Sequence, residues 1–150
     1  MLQRFRANTA AVGGATVIAL FIAVAVVGPS FAPHDPLAQD LFSNYQSSSW
    51  AHPLGTDHLG RDNLSRMIYG ARVSLTISVT SVVFGLIIGM AIGLVAAYSR
   101  GIVDVVLMRV VDMLLAFPDI LLAIAIIAVL GEGIVNTIIA VVVYSVPQFA

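Results

Sequence analysis

The chain has 150 residues, of which 59% are hydrophobic and 10% charged, and its seven basic and eight acidic side chains leave a formal net charge of -1. So apolar a composition excludes an ordinary soluble domain, and a near-neutral balance whose basic residues are all scattered arginines offers no footprint for nucleic acid. The absence of cysteine excludes a disulfide framework, a thiolate metal centre and a cysteine nucleophile.

In chain order, the first apolar run extends from Ala10 to Val27, behind Arg4 and Arg6, and stops at Gly28-Pro29, where proline lacks the N–H and fixes φ. It reads as a retained transmembrane helix. A signal peptide also starts basic, but its apolar core is about 7–15 residues long, and Pro33 disrupts the small-residue cleavage position after Phe31-Ala32. From Ser30 to about Trp50 the chain is punctuated by proline and then polar without apolar periodicity, so it reads as a loop outside the bilayer.

Gly55-Thr56-Asp57 then reads as a helix start, with Thr56 or Asp57 as the cap. Leu64, Met67, Ile68 and Ala71 share one helical face, and Asp62 and Arg66 form an i,i+4 pair on another. A short amphipathic helix at the membrane interface is expected there.

The second apolar run, Val73 to Tyr98, carries Ser81, Gly85, Gly89, Gly93 and Ala97 at successive four-residue steps. Lipid tails give helices no hydrophobic reason to associate, so a ridge of small residues that permits close backbone approach predicts a helix–helix contact. The third run, Ile102 to Leu130, contains Asp104, Arg109, Asp112 and Asp119. In a regular helix Arg109, Asp112 and Asp119 fall within about 80° of one another, a polar stripe that must face protein or water. Pro118 predicts a kink near Phe117-Pro118. Gly131-Glu132-Gly133 makes a turn, and Ile134 to Val146 begins a fourth span that meets Pro147. Arginine bias places the amino terminus in the cytoplasm and the segment after the first span outside, although Arg61, Arg66 and Arg72 on that outer side weigh against the rule.

His34, His52 and His58 with Asp35, Asp57 and Asp62 invite a metal-site reading, but no histidine pair stands at i,i+4 on an expected helix. Turn and capping roles are therefore expected, with no metal and no cofactor. Arg109 and Asp112 are read as a structural i,i+3 pair near the cytoplasmic face rather than a proton relay. No catalytic residues are assigned: the spans hold no paired carboxylates, serine–histidine arrangement or metal motif, which disfavours an intramembrane enzyme.

The block His52, Pro53, Leu54, Gly55, Thr56, Asp57, His58, Leu59, Gly60, Arg61, Asp62, with Leu64-Ser65-Arg66 and Tyr69 to Leu75 after it, resembles permeases of the dipeptide, oligopeptide and nickel ABC importer family. The likeness continues through Tyr98, Gly101, Asp104, Met108 to Asp112, Leu115 to Pro118, Leu130-Gly131, Gly133, Asn136 and Ile139-Ala140. Asp35-Pro36 matches the amino-terminal region, so the resemblance covers nearly the whole chain.

The resemblance implies an all-α, polytopic permease of the type I ABC importer kind, with about four spans in this chain. Such a subunit sits in the cytoplasmic (inner) membrane, pairs with a second homologous permease, docks two cytoplasmic ATPase subunits and receives cargo from an extracytoplasmic substrate-binding protein. It performs no covalent chemistry. The implied division is a cytoplasmic amino terminus and first helix in 1–28, an extracytoplasmic loop with the interfacial helix in 29–72, and the start of the transmembrane domain in 73–150. The family's ATPase-coupling loop lies beyond Ala150, so the chain is read as an amino-terminal part. A non-transporting helical membrane anchor or assembly protein is the alternative.

Overall fold

A computed structural model describes residues 8–150; the basic start, with Arg4 and Arg6, lies outside the described residues. The described residues form α1 (Thr9–Val27), α2 (Asn63–Ser99), α3 (Ile102–Leu115), α4 (Asp119–Leu130) and α5 (Ile134–Phe149), and none belongs to a β-strand. Single-turn 3-10 segments at Gly28–Phe31 and Leu41–Ser43 interrupt the long connection between α1 and α2. The chain divides into two compact units, one ending at Leu75 and the other beginning at Thr76.

In the first unit, the Asn8 side chain starts α1 by accepting from the backbone N–H groups of Ala10 and Ala11 at 3.1 and 3.2 Å. Apolar side chains are exposed all round this helix, and Ala25 alone is buried. A helix apolar on every face belongs in lipid. The proline-bearing turn that ends it draws Gly28 against Ile68, where a Cβ on the glycine would come within 2.8 Å of the isoleucine Cγ2.

No separate interfacial helix exists. The expected amphipathic turns after Asn63 are the first turns of α2, which runs unbroken for 37 residues. Gly70 is the weakest helix former between Asn63 and Val73, and one glycine does not break a helix whose hydrogen-bond ladder is otherwise intact. At about 1.5 Å per residue α2 is roughly 55 Å long, well beyond a hydrocarbon core of about 30 Å, so its Arg-bearing first turns need not lie in lipid.

In the second unit, α2 continues apolar to Ser99, and Arg100 and Gly101 turn the chain through left-handed backbone, at φ 52° and 65°. The third apolar stretch is two helices rather than one kinked one. It stops at Leu115, restarts at Asp119, and the two axes differ by 92°. Pro118 cannot donate a backbone hydrogen bond, and it biases Phe117 away from helical φ/ψ, so the ladder fails there. Among the described residues two helices, α1 with its terminal turn and α2, are long and apolar enough to cross a membrane, or three spans if the bent pair counts as one. The fourth expected span, α5, is a shorter apolar helix of 16 residues. It packs against both α3 and α4, and buries Ala140, Ser145, Val146 and Pro147.

Candidate functional site

Two constructions stand out, a hydrogen-bonded loop ahead of α2 and a close helix contact in the second unit. The loop is organised by the block from His52 to Asp62. Gly55 and Gly60 have φ of 67° and 71°, and a Cβ on them would come within 2.4 Å of the Gln46 carbonyl oxygen and 1.8 Å of that of Asp40. Only glycine fits both the backbone conformation and the space. The approach lets the Asp40 N–H reach the Leu59 carbonyl at 3.2 Å and the Thr56 N–H reach that of Gln46 at 3.1 Å. Thr56, 5% exposed, donates its hydroxyl to the Ser43 carbonyl and accepts from the Gln46 N–H at 2.8 Å. His52 and Pro53 contribute carbonyls, His52 accepting from the N–H groups of Ser49 and Gly55 and Pro53 from the Ser48 hydroxyl.

Neither Thr56 nor Asp57 caps α2, contrary to the sequence expectation. The chain needs the turn from Asp57 to Gly60 before it can enter the helix, and Asp62 stands at the entry. Its Oδ2 accepts from the Ser65 N–H at 2.8 Å. Asp57 instead locks the turn, accepting from the N–H groups of Leu59 and Arg61 at 2.8 and 3.0 Å and from the Arg61 guanidinium at 2.8 Å. Arg66 also pairs with Asp57, one helical turn inside α2, and so is not the i,i+4 partner of Asp62. Burial raises the Asp57 carboxyl, but these N–H donors and the Arg61 charge outweigh it and leave the carboxyl at about 2.

Asp62 is bound on its other side. His52 Nδ1 lies 3.0 Å from Asp62 Oδ1, His34 Nδ1 lies 4.0 Å from the same oxygen, and the two imidazoles stack at 4.7 Å between centroids. Burial raises the Asp62 carboxyl, yet donation from the Ser65 N–H and hydroxyl, then His52 and the nearby His34, holds it below its ordinary range. Sequence spacing named these residues among six candidates but set the grouping aside, because its members come from the proline-rich exit of α1, the central block and the start of α2. His58 and Asp35 take no part in it.

In the second unit Gly85, Gly89 and Gly93 lie along α5. A Cβ on them would meet Ser145 Oγ at 2.2 Å, the Val146 carbonyl oxygen at 2.5 Å and the Ala150 carbonyl oxygen at 2.4 Å. Later residues of α2 meet later residues of α5, so the two helices run in the same direction. The bent α3–α4 pair therefore returns the chain to its starting side, as a single broken crossing does. Ser81 is fully buried, and its hydroxyl has no hydrogen-bond partner among the described residues. Ala97 departs from the expected ridge: it is exposed, and Ala96, 2% exposed, is buried instead. Four-residue steps drift about 40° per turn of a 3.6-residue helix, so the fourth step from Ser81 has rotated off the contact.

Arg109 and Asp112 do not form the expected pair. Both are exposed and no ion pair joins them. Helical side chains lean toward the amino terminus, which carries the arginine at the earlier position away from the aspartate one turn on. Asp119 belongs to the next helix, so the proposed stripe is split by the 92° bend. Asn136, which the sequence offered only as part of the family likeness, has a structural role: its amide donates to the Leu130 and Gly131 carbonyls at 2.8 and 3.0 Å and satisfies the open end of α4.

Comparison with known families places residues 1–47 on the N-terminal TM domain of oligopeptide transport permease C, and residues 81–150 on the binding-protein-dependent transport system inner membrane component. The chain is 42% identical to the di/tripeptide transport system permease protein DppC of Pseudomonas aeruginosa, over 98% of its own length and 50% of that protein. It is 41% identical to the glutathione transport system permease protein GsiD of Pectobacterium atrosepticum, over 99% of its length and 50% of that protein. It is 44% identical to GsiD of Escherichia coli O157:H7, over 99% and 49%. The chain thus spans about half the length of the curated relatives it matches.

Proposed function

Because this chain belongs to the family of permeases that serve as inner-membrane components of binding-protein-dependent transport systems, we propose that it is the amino-terminal part of an ABC importer permease subunit carrying short peptides or similar small solutes across the cytoplasmic membrane. The observation that carries the reading is identity of 41–44% along almost the entire chain to proteins named as di/tripeptide and glutathione permeases. Peptide-bearing cargo is the class those names share.

In this reading the protein works by alternating access, and its residues shape helix contacts rather than react with cargo. The partners are a second homologous permease, two cytoplasmic ATPase subunits and an extracytoplasmic binding protein. The amino terminus is cytoplasmic, and the loop locked by Asp57 and Asp62 faces outward. The contact of Gly85, Gly89 and Gly93 with α5 holds the start of the transmembrane domain as one piece. Arg109 and Asp112, exposed and unpaired among the described residues, are contacts for a neighbouring subunit, since charges on a membrane helix are costly against lipid.

The test is uptake of a labelled dipeptide in cells lacking the gene, with purification of the tagged full-length protein. Restored uptake and copurification of an ATPase and a second permease are expected. Unchanged uptake on deletion, together with a tagged protein that carries neither subunit, would replace transport by an anchor or assembly role.

A further inference from the structure

We propose that His34, His52 and Asp62 form a binding site for a late first-row divalent cation, with zinc as the type ion, that staples the loop ahead of α2. One ligand atom from each residue lies within 4.8 Å of the others, although the residues are widely spaced in sequence. A tetrahedral ion with bonds of about 2.0–2.1 Å holds its ligands roughly 3.3 Å apart. The 3.0 Å separation of His52 Nδ1 and Asp62 Oδ1 is already close to that figure. His34, at 4.0 Å from the same oxygen and within 4.8 Å of the other ligand atoms, must move inward by up to about 1.5 Å. Its side chain is 41% exposed and has room to do so.

Each ligand is held by its surroundings. Asp62 is 1% exposed at the side chain, and its Oδ2 is fixed by the Ser65 N–H, which leaves Oδ1 turned to the imidazoles. The His34 backbone N–H donates to Ser65 Oγ at 3.1 Å, and the His52 N–H donates to Ser49 Oγ at the same distance. These bonds fix the backbone from which each imidazole projects. His34 Nδ1 makes no hydrogen bond to Asp62, because 4.0 Å is beyond hydrogen-bond reach. A cavity of about 270 Å³ adjoins the three residues and is also lined by Asp35 and Asp40, leaving space for water in a fourth position. Two imidazoles, one carboxylate and an open position suit zinc, or nickel and copper by the general order of affinities, better than magnesium or calcium.

The test uses the full-length permease with its partner subunits, purified through a histidine-free tag, stripped with chelator and given Zn(II) alone. One Zn(II) beyond that held by the His34→Gln/His52→Gln double variant is expected per permease copy. Its X-ray absorption spectrum should show paired imidazole scattering. Each single variant weakens retention by at least about tenfold, as loss of a ligand exceeds loss of an outer-shell partner. His58→Gln, which alters an exposed histidine outside the cluster, leaves retention unchanged. Equal retention by wild type and double variant overturns the site. If the double variant does not assemble, the wild-type spectrum decides, and a first shell without two imidazoles overturns it equally.

Discussion

Replacing Gly89 by alanine isolates the helix contact of the second unit. The added methyl would sit 2.5 Å from the Val146 carbonyl oxygen and 2.7 Å from Phe149 Cβ. Comfortable heavy-atom contacts begin near about 3.5 Å, so α5 must retreat by roughly 1 Å or the methyl must be accommodated by strain. Overpacking of this kind costs about 1–3 kcal/mol. Alanine returns about 0.5–1 kcal/mol of backbone preference in a helix interior. The net expectation is a loss of about 1 kcal/mol, and at most about 2.5 kcal/mol. Gly70 supplies the control, because it lies in the same helix with nothing within 4 Å of its would-be Cβ. Gly70→Ala should therefore stabilise by about 0.5–1 kcal/mol. Equilibrium unfolding of the full-length protein in mixed micelles, titrated with denaturing detergent, measures both. A Gly89→Ala midpoint at or above wild type would show that the close approach of α2 and α5 does not hold this unit together.

Asp57 has a carboxyl depressed from 3.8 to about 2, so its contribution to loop stability is fully present above about pH 4 and is lost as pH falls toward 2. Amide hydrogen exchange at Leu59 and Arg61, corrected for intrinsic rates, should rise across that window in wild type and be high and flat in Asp57→Asn. Gly60→Ala combines an unfavourable φ of 71° with a Cβ placed 1.8 Å from the Asp40 carbonyl oxygen. It should cost more than about 2 kcal/mol, read as rapid protease cleavage between Asp40 and Asp62, and wild-type resistance would refute it. Pro118→Ala restores a backbone donor and frees Phe117 for helical geometry. Spin labels at Val105 and Val129, about 21 Å apart along two perpendicular arms, should shift toward the roughly 36 Å of a straight helix. An unchanged distance would mean that packing on α5 sets the bend. Arg109→Ala in the full-length protein should lower subunit assembly or uptake while membrane insertion stays intact, and normal uptake at equal expression would remove Arg109 from the interface.

Several features were readable without coordinates because they depend on local chemistry. Apolar length identified α1 and α2, proline located the ends of α1 and α3, and four-residue spacing picked out Gly85, Gly89 and Gly93. Where two local signals competed, reading failed. Thr56 and Asp57 are both good caps by residue type, but the turn they occupy consumes their oxygens and passes the role to Asp62. The amphipathic turns after Asn63 and the apolar run after Val73 looked like separate elements because their compositions differ. Backbone hydrogen bonds do not register that change, so one helix spans both.

Composition and spacing by themselves determined the solvent and the helical class, since hydropathy and short-range periodicity act over a few residues and need no partner; the family was carried by resemblance, through the ordered block from His52 to Asp62. Only the tertiary structure decided which residues meet at long range: the imidazoles of His34 and His52 over Asp62, Arg66 on Asp57, and α5 along the glycines of α2. Those meetings depend on the path of a long irregular loop and a right-angled helix break. Small changes in a few backbone torsions there move distant side chains by many ångströms, and no local pattern encodes the sum.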